Sequence, residues 1–209
     1  MTNPWEAIPL SDYETHMSLD SIRQLQTMDA IMQEQFSEYP SETVMLLGIA
    51  GGNGLRHVDP AEIQTLYGVD VNRDYLAACA ARYPALGNTL VCIQADLTAP
   101  ALMLPQARLV IANLLVEYTG YECFRKVLKS VRPQYVSCAI QINSGEGFVS
   151  NSPYLHVFDG LEAVYHQIDG DGLAKALALD GFHLTETKEY MLPNAKKIAR
   201  MDFRSGRPP

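Results

Sequence analysis

Short apolar runs alternate with stretches of helical periodicity over most of this chain. The runs lie at 44–47, 65–69, 90–93, 109–112 and 135–140, and helices are predicted between them, among others at 72–82 and 119–130. Strands buried on both faces of a parallel sheet have continuous apolar sequences, and consecutive parallel strands need a crossover connection, usually a helix. The alternation therefore predicts an α/β fold with a doubly wound, mostly parallel sheet.

The C-terminal part of the chain breaks this alternation. Two strand-like runs, 183–192 and 197–203, are joined through Pro193, Asn194 and Ala195, and no helix fits between them. Strands with so short a connection pair antiparallel, so we expect a C-terminal antiparallel hairpin. At the other end, residues 1–40 have apolar positions at helical spacing. They are predicted to form helices that act as a lid on an α/β domain spanning residues 41–209.

Residues suited to binding a ligand follow the first three predicted strands. The loop GIAGGNG at 48–54 comes after the first strand, where glycines allow a tight turn and bring backbone N–H groups near a ligand. Asp70 follows the second strand and Asp96 the third. An acid after the second strand can accept hydrogen bonds from both hydroxyls of a ribose. The alternatives are that Asp70 caps the next helix and that Asp96 belongs to an exposed turn.

The order of GIAGGNG, YGVD, IQADL and VIANLLVEY, followed by the hairpin, resembles the class I S-adenosylmethionine-dependent methyltransferases. The resemblance covers about residues 42–203 and implies a seven-stranded sheet whose last strand is antiparallel. It implies that the glycine loop holds the methionine part of S-adenosylmethionine, that the first acid holds the ribose, and that the second acid meets the adenine. S-adenosylhomocysteine is the implied product. The implied cofactor-binding residues are Gly48, Ala50, Gly51, Gly52, Asn53, Gly54, Asp70, Val71, Asp96, Leu97 and Asn113.

Two residues of the glycine loop depart from the family pattern. Gly48 stands where the family usually has an acidic residue, and Ala50 stands where it usually has glycine. Glu117 and Asn113 are the candidates to replace the missing acid. The rival cofactor is a nicotinamide dinucleotide, but its GxGxxG fingerprint needs a small third residue, and His57 occupies that position.

The acceptor is expected above the carboxyl ends of the strands, beside the cofactor. Methyl transfer is an in-line displacement, so positioning and exclusion of water supply most of the catalysis, while a protonated acceptor also needs a base. The loop at 143–154, which includes Gly145, is either a mobile lip or a plain surface loop. The candidate bases are His16, Glu117 and His156, and the candidate substrate-binding residues are Tyr13, Met17, Tyr118 and Tyr154.

Charge and cysteine spacing limit the classes of partner. The formal net charge is −8 and the pI is about 5.0, so no nucleic-acid partner is expected. The basic residues Lys196, Lys197 and Arg200 are predicted to form a solvated face. The four cysteines contain no close pair, which predicts buried, reduced thiols and no metal site. The N-terminus lacks the features of a signal peptide, and no apolar stretch is long enough to span a membrane, so a cytoplasmic location is predicted.

The leading functional hypothesis is a methyltransferase that uses S-adenosylmethionine to methylate a small molecule, as a monomer or homodimer. Asn113 is not followed by the Pro-Pro-aromatic sequence of enzymes that methylate base nitrogens or glutamine amides. Two alternatives stay open. One is a methyltransferase that acts on protein or RNA, and the other is a module that binds S-adenosylmethionine without catalysis.

Overall fold

All seven predicted strands form one sheet in the computed structural model, which describes residues 3–143 and 147–206. Their order across the sheet is β3-β2-β1-β4-β5-β7-β6. The first five strands pair in parallel, and β7 pairs antiparallel with β5 and β6, which confirms the predicted fold class. The strands are β1 (Thr43–Leu47), β2 (Thr65–Asp70), β3 (Leu90–Gln94), β4 (Leu109–Asn113), β5 (Tyr135–Ile142), β6 (Phe182–Met191) and β7 (Lys197–Ser205).

Five α-helices surround the sheet within the described residues: α1 (Leu10–Ser18), α2 (Gln24–Glu38), α3 (Arg73–Arg82), α4 (Val116–Val131) and α5 (Gly170–Ala178). Single 3-10 turns or short 3-10 helices lie at Pro4–Ala7, Leu55–His57, Pro84–Thr89 and Leu155–Ala163. The helix predicted from residue 119 begins earlier, at Val116, and Gly120 interrupts it with a φ of 71°. The first turn of α4, which carries Glu117 and Tyr118, is therefore set apart from the rest of that helix.

Each face of the sheet packs against its own layer of helices. In β1, Met45 and Leu47 face the cluster that contains α4 and α5, whereas Val44 and Leu46 face the cluster that contains α2 and α3. The connections that leave β1 and β4 lie on opposite faces, so the two neighbouring strands form a switch point. Open α/β sheets bind ligands in the crevice at such a point, above the carboxyl ends of the strands.

The basic residues before and within β7 do not form the predicted solvated face. Arg200 is 1% exposed and Lys196 is 7% exposed, so that prediction is wrong for both. Arg200 forms ion pairs with Asp202 in its own strand and with Glu34 and Glu38 of α2. Burial is possible here because these carboxylates neutralise the guanidinium group.

The cysteines also differ from expectation in one respect. Cys79 and Cys138 are buried, and Cys123 is half-buried, but Cys92 is exposed because β3 is an edge strand with little cover. All four are unpaired. Over residues 3–143 and 147–206, no helix has the length and apolar character needed to cross a membrane.

Candidate active site

A cleft of about 720 Å³ opens at the carboxyl ends of β1 to β4, and we call it the first cleft. The residues predicted to bind the cofactor divide into two groups, because only some of them reach this cleft. Those that line it are Gly48, Ala50, Asp70, Val71, Asp96, Leu97 and Asn113.

Asp70 lies at the centre of this group. Its Oδ2 accepts a hydrogen bond from the backbone N–H of Ala50 at 2.9 Å, and its Oδ1 accepts one from Asn72 at the same distance. Burial raises the pKa of the Asp70 carboxyl, and these backbone donors oppose the rise. The residue that caps α3 is Asn72, whose side chain accepts from Asp74 and Tyr75. Asp70 therefore joins the glycine loop to β2 and leaves capping to its neighbour.

Gly48 and Ala50, the two departures from the family pattern, both have a positive φ. Gly48 has a φ of +70°, and a Cβ at this position would lie 3.1 Å from Leu115 Cδ1. An acidic side chain at residue 48 would therefore adopt a strained backbone conformation and require Leu115 to shift. Ala50 adopts a φ of 47°, a left-handed conformation that glycine reaches more easily.

The rest of the glycine loop faces the helices instead of the cleft. Gly51 approaches the Arg82–Glu14 ion pair, and Gly54, with a φ of +83°, lies against Met32 of α2. Gly52 packs against Cys79 of α3, while Asn53 donates to the backbone oxygen of Leu25. These residues position the loop, and none of them lines the first cleft.

Asp96 and Leu97 line the cleft on the side of β3. Asp96 Oδ1 accepts hydrogen bonds from the backbone N–H of Thr98 at 2.8 Å and from its hydroxyl at 2.7 Å. Burial acts to raise the pKa of Asp96, but these hydrogen bonds hold it below the ordinary value. Asp96 lies in a turn, as the alternative interpretation has it, and this turn lines the first cleft.

The N-terminal segment covers the cleft. Asn72 Nδ2 donates to the backbone oxygen of Trp5 at 3.0 Å, and the Tyr75 hydroxyl donates to that of Ile8 at 2.9 Å. Trp5 and Tyr13, which contact each other edge to face, line the wall that results. This segment therefore forms one wall of the first cleft, and its action as a lid stays a prediction.

A second cleft, of about 550 Å³, adjoins the first. Trp5, Tyr13, Leu114 and Tyr118 line both clefts and form a shared wall between them. Predicted residues that line only the second cleft are His16, Met17 and Glu117. Asn143, from the loop at 143–154, also lines it, as do Gln24, Gln141 and Tyr165, which sequence reasoning did not identify.

Glu117 is the buried carboxyl group of the second cleft. The residue is 4% exposed, its Oε1 accepts from the backbone N–H of Gln141 at 2.7 Å, and its Oε2 has no partner among the described residues. Burial raises the pKa of Glu117 to about 7. Carboxylic acids in this range gain and lose protons near neutral pH, as a general base must.

His16 differs from Glu117 in the direction of its pKa shift. Burial, with a further contribution from Lys196, lowers the pKa of His16 to about 4, so its imidazole is neutral at pH 7. Its Nδ1 lies 2.7 Å from the Ser152 hydroxyl, and its ring packs 4.7 Å from the ring of Phe158. The structure thus brings two of the three candidate bases into one cleft.

The third candidate base lies elsewhere. The side chain of His156 is 91% exposed beside Asp159 and lines neither cleft. Tyr154 is also absent from both linings; it packs in the cluster around Phe158. Gly145, in the predicted lip, lies outside the described residues.

No protein-family model and no curated protein matches this sequence, but solved structures do. A magnesium protoporphyrin IX methyltransferase from Synechocystis, with bound S-adenosylhomocysteine, is 15% identical over 93% of this chain and 94% of that one, with a TM-score of 0.67. The N-methyltransferase NodS from Bradyrhizobium japonicum, in complex with S-adenosylhomocysteine, is 10% identical over 95% and 98% of the two chains, also with a TM-score of 0.67. The 4+2 cyclase SpnF is 11% identical over 86% and 82%, with a TM-score of 0.65.

This chain has the methyltransferase fold. At these identities the similarity establishes architecture, and the presence of a cyclase among the three shows that the methyltransferase fold alone does not assign a reaction. The reaction depends on the side chains of the two clefts.

One pair of polar side chains, Asn113 and Gln35, fixes the position of Asn113 at the first cleft. The amides of Asn113, at the end of β4, and Gln35, in α2, exchange two hydrogen bonds of 2.9 Å. Gln35 is fully buried and also donates to the Ser137 hydroxyl. Asn113 is thus held in place at the cleft on the side of Gly48. Glu117, the other candidate to replace the missing acid, faces the second cleft.

The raised pKa of Glu117 predicts a pH-dependent difference in stability between the wild type and Glu117→Gln. The folded chain holds this proton up to about pH 7, whereas the unfolded chain loses it near 4.5. Between these values the folded state binds more protons, so stability falls as pH rises. We expect the wild type to lose about 3 kcal/mol relative to the variant between pH 4.5 and 7. Urea unfolding of both proteins across this range measures it, and parallel curves would contradict the burial of an ionisable Glu117.

Proposed function

We propose that this chain is an S-adenosylmethionine-dependent methyltransferase whose acceptor is a small molecule. The observation that carries the proposal is the arrangement of two adjoining clefts around a shared wall. The first presents Asp70 and Asp96 at the ends of neighbouring strands, and the second contains a buried carboxyl group with an unpaired oxygen. A cofactor site and an acceptor site need this proximity.

The first cleft suits an adenosyl ligand. A carboxylate has about four acceptor positions, so Asp70 keeps capacity for ribose hydroxyls beyond its bonds to Ala50 and Asn72. Leu97 offers apolar surface and Asp96 a carboxylate on the β3 side, where the adenine is proposed to bind. When bound, S-adenosylmethionine supplies an electrophilic methyl group on a sulfonium sulfur. Structures of the same fold with S-adenosylhomocysteine bound support this choice of ligand.

The second cleft suits a small acceptor better than a macromolecule. Its lining contains several aromatic rings and, among the described residues, no lysine or arginine, and part of that lining comes from the N-terminal segment. A nucleic acid would require a basic rim, and the chain has a net charge of −8. In this cleft, Tyr13 and Tyr118 shape the wall, Glu117 is the proposed base, and His16 is proposed to orient the acceptor through its neutral ring.

A second candidate function is catalysis or binding without methyl transfer. It is favoured by Gly48, which lacks the usual acid, and by the cyclase that shares this fold. Tight binding of S-adenosylmethionine with no transfer of its methyl group to any acceptor would support this alternative.

Titration calorimetry with S-adenosylmethionine, S-adenosylhomocysteine and NAD tests the cofactor assignment. We expect both adenosyl ligands to bind with micromolar dissociation constants and NAD to give no heat of binding. Since the loop lacks the usual acid at Gly48, the backbone donors and Asp70 must supply the affinity. Absence of heat with both adenosyl ligands would refute the proposed cofactor.

A further inference from the structure

The ionisable side chains that line the second cleft limit the charge of its ligand. Among the described residues, Glu117 is the only acidic residue in the lining, and that lining contains no lysine or arginine. His16 is neutral at pH 7 because burial lowers the pKa of its ring. An anionic acceptor would contact no cationic side chain in the described lining, and its charge would lie beside Glu117. The cleft therefore favours an acceptor that is cationic or neutral.

Two side-chain oxygens in the lining of the second cleft, Glu117 Oε2 and Gln24 Oε1, can accept hydrogen bonds from a ligand. The backbone oxygen of Phe148 can only accept, so it must face the nitrogen of the Gln141 amide, which donates to it at 2.7 Å. The Gln141 oxygen then faces Gln24 and accepts from its amide nitrogen. Gln24 Oε1 takes no part in this bond, and Glu117 Oε2 has no partner among the described residues. A ligand that donates several hydrogen bonds would complement both.

Aromatic rings surround the carboxyl group. Tyr118, the next residue along α4, contacts Trp5 edge to face, with ring centroids 4.9 Å apart. Tyr165 lies on the other side of Tyr118 and stacks on Phe148 at 4.1 Å. All four rings line the second cleft. Aromatic rings attract cations, most strongly in sites shielded from water.

From this combination we propose that the acceptor is a small primary or secondary amine, bound as its ammonium ion between Glu117 and the aromatic rings. The inference rests on the proposed function and specifies its substrate class. The ammonium group donates one of its N–H bonds to Glu117 Oε2, the buried acceptor that has no partner. Gln24 offers a second acceptor in the same lining.

The proposed step balances in atoms and charge. The ammonium ion transfers one proton to Glu117, which frees the lone pair on nitrogen. That pair forms the new C–N bond to the methyl carbon while the C–S bond breaks, and sulfur keeps the bonding electrons. The products are an N-methylammonium ion, S-adenosylhomocysteine and protonated Glu117, which returns its proton to water. Glu117 is thus the proposed catalytic base as well as the group that selects the amine.

Lys196 is a cationic side chain near the second cleft. Its charge contributes to the lowered pKa of His16. Its Nζ donates to the backbone oxygens of Gly147 and Phe148 at 3.0 Å and does not pair with Glu117. It also does not line the cleft. The carboxylate that Glu117 forms above about pH 7 is therefore left for the ligand.

Calorimetric titration of the wild-type protein with phenethylamine, phenethyl alcohol and phenylpropionate tests the proposal. These compounds share an aromatic group and differ in the charge at the other end. The titrations are made on the protein alone and on protein saturated with S-adenosylhomocysteine. We expect the amine to bind at least tenfold more tightly than the alcohol and the carboxylate not to bind. In Glu117→Gln the preference for the amine should disappear, while binding of the alcohol and of S-adenosylhomocysteine is unchanged.

Glu122→Gln is the matched control, because it removes an exposed carboxylate from the same helix. It should keep the preference for the amine. Equal binding of alcohol and amine, no amine binding, or a preference that survives in Glu117→Gln would each overturn the inference. Loss of S-adenosylhomocysteine binding alone would overturn the proposed cofactor instead, since the amine titration of the unloaded protein is measured separately.

Discussion

Replacing Asp70 with alanine is expected to weaken S-adenosylhomocysteine binding about a hundredfold or more. Hydrogen bonds to a charged group contribute about 1.5–3 kcal/mol each, and two bonds to ribose hydroxyls would be lost. The substitution also removes the acceptor for the Ala50 N–H, which holds the glycine loop against β2. Both effects lower the affinity, and calorimetry gives the dissociation constant directly.

Asp74→Ala is the control for this substitution. Asp74 is exposed in the first turn of α3, only four residues beyond Asp70, and does not line the first cleft. Its loss should leave the dissociation constant unchanged. Circular dichroism must show that Asp70→Ala is folded. An unaltered affinity in folded Asp70→Ala would refute the ribose assignment.

Replacing Arg200 with methionine is expected to lower the free energy of unfolding by about 3 kcal/mol. The guanidinium group has no exposed side-chain area and forms ion pairs with Asp202, which is 1% exposed, and with two glutamates that are about a third exposed. Removing one partner from a buried ion pair strands a charge, at a cost of about 3–5 kcal/mol. We expect a loss at the lower end of this range because Glu34 and Glu38 remain partly hydrated.

Urea unfolding at pH 7 measures this loss, with Arg204→Met as the control at the exposed end of the same strand. The effect should shrink in acid. Burial acts to raise the pKa of Glu38, but hydrogen bonds from Arg200 and Lys188 hold it below the ordinary value. The stability that Glu38 contributes is therefore lost as pH falls through its folded pKa. A loss at pH 7 no larger than that of Arg204→Met would contradict this account.

The fold was predictable because its signals are local. Each buried strand is a continuous apolar run, and the short connection between 183–192 and 197–203 permits only antiparallel pairing. The burial of Arg200 was not predictable in the same way. Its partners Glu34 and Glu38 lie in α2, more than a hundred residues away along the chain, and nothing in the sequence near β7 indicates that this helix covers the strand.

The candidate site was predictable in part. Asp70 and Asp96 follow strand ends, and the topology alone brings strand ends together. The glycine loop was predicted as a unit, yet only Gly48 and Ala50 line the first cleft, because the positive-φ residues Gly52 and Gly54 turn the chain back onto α2 and α3. Gln24 and Gln141 escaped prediction since each is an ordinary polar residue whose role depends on the other.

The wall shared by the two clefts makes their occupancies interdependent. Trp5 and Tyr13 line both clefts. A ligand that fixes these rings in one cleft therefore changes the binding free energy of a ligand in the other. Linkage then requires the effect to be mutual: the factor by which one ligand alters the affinity for the second equals the factor in the opposite direction. We therefore expect any cooperativity between ligands of the two clefts to involve the N-terminal segment, and substitutions at Trp5 should change its size.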